Sequence, residues 1–470
     1  MPTPIRQRLT AAFSALFDAA NPRETMRRPR EIATTRSIIE DVSMSDRLQL
    51  LSDSRKLYAN LGPAKGAIDT KAMYAVGRSW LPRFEGTDTK FGDEAAKWLY
   101  EQWYPIADIQ GRDFQTALFL LSISVDRDGD IGAMLTEYET GFPAIQLVPS
   151  HSIGSRQSKA EIIAGGTYAG LRLIDGVFIN LEGRAVAYQL LGGDPRGTLD
   201  RFISARDLCL LMEPEWCDQL RGFPGFTSAL LDLKDLRMVQ GYEKLASALC
   251  SSWALMEYNE TGTADLSDPR IGLGGGALPS GTVVNDMAGG LVKHFKANSG
   301  GKLEMLKSDR PGDAWESFMN RLIRNAMSGI GWPYELAWDI SQLTGANARL
   351  RLAMAMRSVA DRQDLLKPFA RRAVGYACAK AIKQKILPPS DDWWRWGFTL
   401  PARMSADYGR DSAADREDYI LRVKNLGDIL AEDGRDLKQH IAERQAEDAL
   451  LAAAGLPVPQ PREAVPPPVG

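Results

Sequence analysis

The chain has 470 residues, 44% hydrophobic and 25% charged, with 57 Lys and Arg against 60 Asp and Glu for a net charge of −3. That balance fits a globular chain of about two to four domains, and it excludes a protein that grips nucleic-acid phosphates over its whole surface. Four scattered cysteines without a CxxC pair and three scattered histidines exclude a disulfide framework and a Cys/His zinc centre, and they fit a reducing compartment.

Residues 1–20 read as a short amphipathic helix rather than a signal peptide, and 21–36 are rich in Arg, Pro and Thr without an apolar period. Residues 1–44 are therefore expected to be a loosely held arm. The longest uncharged apolar runs, 114–125 and 245–256, have 12 residues each, short of the roughly 20 that a membrane helix needs. A helix is predicted from Ser45, capped by that residue, with Leu48, Leu51 and Leu57 on one face; Gly62-Pro63 ends it. Further helices are predicted over 64–76 and 93–104, and one from near Asp113.

Short β-prone runs follow at 131–138, 144–148, 170–174, 177–180 and 185–190, punctuated by Asp128-Gly129, Asp175-Gly176 and Glu182-Gly183. They predict one mostly antiparallel sheet. Leu230, Leu233, Leu236, Val239, Leu245, Leu249 and Trp253 keep a helical period, so 227–258 is expected to be one long helix. Strand-like pieces at 282–285, 291–297 and 303–307 lie in and beside the Gly-rich region 261–301, and a helix is expected over 313–329. The connector 331–345 leads into a long helix over 347–385, where Pro368 predicts a kink or break. Two closing helices are expected, from Ser412 (with Asp415 as a capping box) and over 436–451. The last fourteen residues hold six prolines and should be disordered or polyproline-like. The fold class is α+β.

Few motifs point to chemistry. Asp126-Arg127-Asp128-Gly129-Asp130 has its glycine at the wrong place for an EF-hand calcium loop and reads as a hairpin turn flanked by strands. The glycine runs at 272–276 and 299–301 lack the Lys-Ser/Thr of a phosphate-binding loop, and no GxSxG elbow is present. The chain is read as not an enzyme, with no cofactor and no metal. Ten basic residues against two acidic ones fall within 346–385, a helix face that suits subunit packing better than nucleic acid.

Several stretches, in order, resemble the lambda-like portal proteins of tailed bacteriophages. They are 53–84; 94–113; Gln219-Leu220-Arg221-Gly222-Phe223-Pro224, where the family has Gln-x-Arg-Gly-hydrophobic-Pro; Gly331-Trp332-Pro333-Tyr334-Glu335-Leu336 with Asp339 and Arg349; and 418–447. Gly345-Ala346-Asn347-Ala348-Arg349 departs from the family's usual Ser-Ser-Ala-Arg.

The resemblance implies a portal fold: an arm (1–44), an α/β wing (45–226), stem helices (227–258 and 313–330) around a small β-containing clip (259–312), a tunnel loop (331–345), a return through the wing (346–410), a helical crown (411–455) and a Pro-rich tail (456–470). It implies a homo-oligomeric ring, expected to be a dodecamer, at one capsid vertex of the virion, assembled in the host cytoplasm. Double-stranded DNA would pass through the ring, and the terminase, the major capsid protein and the head–tail adaptor would be its partners.

Candidate channel residues are Trp338, Asp339, Gln342 and Leu343 in the loop, and Arg321 and Arg324 as charge rings unless they pair with Asp235 or Glu243. Leu291, Lys293, Phe295 and Lys296 are candidates for a terminase- or adaptor-facing strand, with Leu291, Lys293 and Phe295 alternatively a strand's core face. The competing readings are a DNA-processing enzyme of the packaging machinery, such as a terminase or nuclease, and another head–tail connector ring.

Overall fold

In the computed structural model the described residues are 37–38, 42–77, 80–155, 161–163, 165–192, 200–252, 255–259, 284–287, 290–296, 302–304, 313–339, 341, 345–405, 407–435 and 437–455. The expectations for the arm before Ser37, the glycine runs, Gln342, Leu343 and the tail lie outside them. The chain divides into two compact units, Ala229–Ala326 and the remainder.

The larger unit opens with α1 (Met44–Asn60) and α2 (Gly62–Val76). Ser43, not Ser45, caps α1, because only Ser43 is placed for a reciprocal box: its hydroxyl accepts from the Asp46 N–H, and its own N–H donates to Asp46. Leu61 alone separates the helices, and Pro63 enters at the first turn of α2, where no N–H is lost. β1 (Leu81–Phe84) and α3 (Thr89–Trp98) follow. A π turn over Leu99–Trp103 ends α3 earlier than the apolar period suggests.

α4 (Phe114–Asp128) runs directly into β2 (Asp130–Glu137), so a helix, not a strand, precedes Gly129. Gly129 caps that helix at φ +90°, and the predicted hairpin there is wrong. β3 (Pro143–Pro149) pairs with β2, while β4 (Glu161–Ile162), β5 (Arg172–Ile174), β6 (Val177–Ile179), β7 (Ala185–Leu190) and β8 (Arg201–Ser204) form a separate antiparallel sheet. Asp175-Gly176, both at positive φ, do make a hairpin between β5 and β6. β9 (Leu208–Met212) returns to the other edge of β2.

Two sheets therefore stand where one was expected, and the period of β2 shows why. Ile131, Ala133 and Leu135 pack with the helices, whereas Met134 on the opposite face packs with β6, β7 and β8. The helical side is closed by the long helix Gly345–Lys383 and by Trp80, Trp103 and Trp396, each fully buried.

Within the smaller unit, α5 (Leu230–Ser252) buries Leu230, Leu233 and Leu236. It stops earlier than predicted. Leu255–Asn259 is β10, the inner neighbour of β13 (Lys302–Glu304) in a sheet that continues through β12 (Gly290–Lys296) to β11 (Val284–Met287). β10 and β12 run parallel. α6 (Asp313–Ile330) then leaves this unit and enters the larger one.

α7 (Tyr334–Ala337) is a single turn inside the connector, and α8 (Gly345–Lys383) continues through Pro368 without ending. Leu366, Phe369, Ala370, Ala373 and Ala377, buried on both sides of the proline, hold the helix across the missing hydrogen bond. β14 (Trp396–Thr399) pairs with β1. Among the described residues three closing helices are present rather than two: α9 (Tyr408–Ile420), α10 (Leu426–Glu432) and α11 (Leu437–Ala453). Asp407 caps α9, and Asp415, assigned to a capping box by its spacing, is instead ion-paired to Arg403 (2.7 Å) and Lys424 (3.1 Å).

Candidate functional site

The last turn of α4 and the first residue of β2 place three aspartates in alternation, all buried: Asp126, Asp128 and Asp130. Two residues apart on a helix means about 200° around its axis, so Asp126 and Asp128 are reached from opposite sides. Asp126 accepts from Arg362 of α8 (2.7 Å) and from Lys71 of α2 (3.2 Å). Asp128 takes two guanidinium forks, Arg55 of α1 (2.8 and 2.9 Å) and Arg127 (2.9 and 2.8 Å). Asp130 takes the Arg221 fork (2.7 and 3.0 Å) and the Gly222 N–H (2.9 Å).

Arg221 also donates to the carbonyls of Ile153 (2.7 Å), Asp175 (2.8 Å) and Ser150 (3.0 Å). Arg47 joins the same corner through Asp175 (2.5 Å) and Ser150 (3.0 Å). For each of the three aspartates burial pushes the carboxyl up, and the neighbouring cations overcome it and hold it below the ordinary value. Arg221 and Arg362 are displaced upward: burial opposes their charge, and the facing carboxylates more than offset it. Carboxylates held ionised by facing cations in this way clamp elements together and have no proton to exchange near neutral pH.

The clamp ties down the larger unit's own chain just before Ala229 and just after Ala326. The Gly225 N–H donates to the Asp126 carbonyl (2.8 Å), three residues before the first boundary. At the second boundary, Lys71 reaches from Asp126 to the Ile330 carbonyl (3.4 Å), at the end of α6. Gly129 and Gly222 meet backbone to backbone; a Cβ on Gly222 would lie 2.0 Å from the Gly129 carbonyl oxygen, so no side chain fits there.

Beyond α6, Gly331 turns the chain at φ +68°. Trp332 is buried and stacks on Tyr74 with 6.4 Å between ring centroids. Glu335 pairs with Arg351 at 3.2 Å. Trp338 is 47% exposed, and Asp339 accepts from the N–H and hydroxyl of Ser341 (3.1 and 2.5 Å). Arg321 and Arg324 are exposed on α6, one turn apart.

β12, which carries Leu291, Lys293, Phe295 and Lys296, has neighbours on both sides. β12 is therefore an inner strand of its sheet.

A model of a phage portal protein family, the lambda family, matches residues 26–363. The chain belongs to that family. No curated protein matches it. Among solved structures it is similar to a chain in the neck of an empty GTA particle computed with C6 symmetry, at 11% identity and a TM-score of 0.47, over 82% of this chain and 94% of that one. It is similar to a chain in the virion of a native gene transfer agent particle, at 11% identity and a TM-score of 0.46, over 83% and 93%. A third likeness is to an HK97 family phage portal protein from Corynebacterium diphtheriae, at 14% identity and a TM-score of 0.30, over 65% and 84%.

In this portal protein the Gln-x-Arg-Gly-hydrophobic-Pro signature has a physical explanation. Gln219 accepts from the N–H groups of Glu215 (2.7 Å) and Trp216 (3.2 Å) and donates to the Arg221 carbonyl (2.8 Å). Arg221 forks Asp130, and Gly222 allows the backbone contact with Gly129. Arg362 was read from its charge as part of a solvated or subunit-packing face, yet it is wholly buried. Other members of that basic run also find partners inside the chain: Arg351 with Glu335, Arg357 with Asp361 (3.7 Å), Lys367 with Asp364 (2.7 Å) and Lys380 with Glu137. The available signal was the position of Asp126, Asp128 and Asp130 at the end of an apolar helix, where carboxylates go inside and need cations.

Proposed function

We propose that this portal protein assembles as a dodecameric ring at one vertex of a capsid, that double-stranded DNA is driven through the ring by the terminase motor and later ejected, and that the head–tail adaptor assembles onto it. The observation that carries the reading is the family match over residues 26–363, which includes α5, α6 and the connector after them. Capsid protein surrounds the ring in the virion, and assembly takes place in the host cytoplasm.

A conduit must let a polyanion slide. A chain with net charge −3 and a few cationic positions lowers the entry barrier without trapping the polymer. Ring symmetry repeats each side chain around the axis, so Arg321 and Arg324 are the proposed charge rings. Trp338, Asp339, Gln342 and Leu343 are the proposed DNA-facing positions of the tunnel loop. The strand bearing Leu291, Lys293, Phe295 and Lys296 is the proposed terminase and adaptor surface. The α/β elements before α5 act as wing, α5 and α6 as stem, and α9 to α11 as crown.

Negative-stain microscopy of the purified full chain tests this reading. The expected image is a closed ring with a central hole wide enough for a duplex. A solitary globule at every concentration would overturn it.

A further inference from the structure

Away from the aspartate clamp, α8 and the segment after it enclose a groove of about 740 Å³. Trp393, Trp394 and Tyr376 supply its aromatic surface, and Arg371, Arg372 and Arg395 supply cations, with Glu85 at its margin. Trp394 is 56% exposed, and the Arg395 guanidinium lies over its ring at 5.4 Å from the centroid. Trp393 packs against α8 at Gly375, where a Cβ would lie in ordinary contact with its ring at 3.6 Å. Arg371 is braced by donating to the Trp396 carbonyl (3.0 Å), and Tyr376 by donating to the Thr136 carbonyl (3.1 Å). These are rigid aromatic shelves beside fixed donors, and an exposed aromatic surface of this kind calls for a cover.

We propose that this groove is the docking site of the chain's own proline-rich segment, residues 456–470, from the same copy or a neighbouring one. Six of the last fourteen residues are proline, among them the run Pro466-Pro467-Pro468. Such a segment favours the polyproline II helix, which makes no internal hydrogen bonds and leaves its carbonyls needing donors. Aromatic-lined grooves take this helix at low entropy cost, with pyrrolidine rings on the aromatic faces. The remaining N–H groups of Arg371, Arg372 and Arg395 are the donors here; Arg372 also donates to the Ala205 and Arg206 carbonyls, and Arg395 pairs with Asp392 (3.5 Å). The segment's only charged side chains, Arg462 and Glu463, match Glu85 and the arginines of the margin. Fifteen residues of polyproline II span about 46 Å. This inference is independent of the DNA-conduit reading.

The test uses the full chain with Val465 replaced by the photocrosslinking residue p-benzoylphenylalanine, irradiated and mapped by mass spectrometry. Crosslinks to the groove, residues 368–396, are expected. Linkage within one chain or between two identifies which copy donates the segment, and either supports the site. Trp394→Ala should lower the yield about tenfold, as loss of an aromatic contact implies, and Trp394→Phe should restore most of it. Replacing Pro466, Pro467 and Pro468 by Ser leaves the groove intact and should also lower the yield. Circular dichroism confirms that each variant is folded. Crosslinks elsewhere, no crosslinks, a yield indifferent to these changes, or capture of a different protein in cells would overturn the proposal.

Discussion

The aspartate corner and the closing helices, both within the larger unit, reverse the usual distribution of side chains in opposite ways. At the corner, charge is inside: Asp126, Asp128, Asp130, Lys71, Arg47, Arg221 and Arg362 are buried and answer one another. In the closing helices apolar groups are outside. Tyr408, Leu421 and Val423 are each about 70% exposed, Leu450 likewise, and α9 buries none of its residues. Each buried charge has its counter-charge on the same chain, so the corner completes itself. The closing helices present apolar surface that the described residues do not cover, which is the condition of a surface that meets other parts of the chain or other copies.

The largest expected effect comes from breaking the corner. Arg221→Ala leaves Asp130 buried without its fork and should cost about 3–5 kcal/mol, read from the shift in urea midpoint. A loss near zero would show that the corner is solvated in solution. The next effect is on pH. The folded carboxyls of Asp126, Asp128 and Asp130 titrate below their ordinary value. Their contribution is therefore fully present above the unfolded value of about 4 and disappears as pH falls through the lower folded values. The thermal midpoint should stay level from about pH 7 to 5 and drop below about 4, with a flatter drop in Asp130→Asn.

Smaller effects sharpen the other side of the comparison. Changing Tyr419, Leu421 and Val423 together to Ser should move single-chain stability by no more than about 0.5 kcal/mol per site, yet reduce self-association in analytical ultracentrifugation. Unchanged association would remove the closing helices from any interface. Arg357→Ala should be smallest of all, under about 0.5 kcal/mol by the same urea titration, because its partner Asp361 is also exposed.

What the sequence disclosed follows from the range of its signals. α1, α2, α4, α6 and α8 were legible because their apolar residues recur locally. β10 was hidden because Leu245, Leu249 and Trp253 extend a helical period with no glycine or proline to stop it. β8 and β9 went unassigned although Leu208–Met212 is an apolar run, since β9 joins the edge of β2 nearly eighty residues earlier in the chain. The motif Asp126–Asp130 was misread for the same reason. Its partners Arg55, Arg221 and Arg362 come from far along the chain, and only the fold brings them together. The family signature at Gln219–Pro224 was visible as a pattern, but its cause, a backbone contact with Gly129, was not.

The clasp around Asp126 has a practical consequence for engineering. Gly225 and Ile330 are both fastened through that one residue, so the ends of the intervening stretch are pinned before anything between them is considered. Closing a loop costs only slowly more as it lengthens, so changes of length between Gly225 and Ile330 should leave the pinned ends in place.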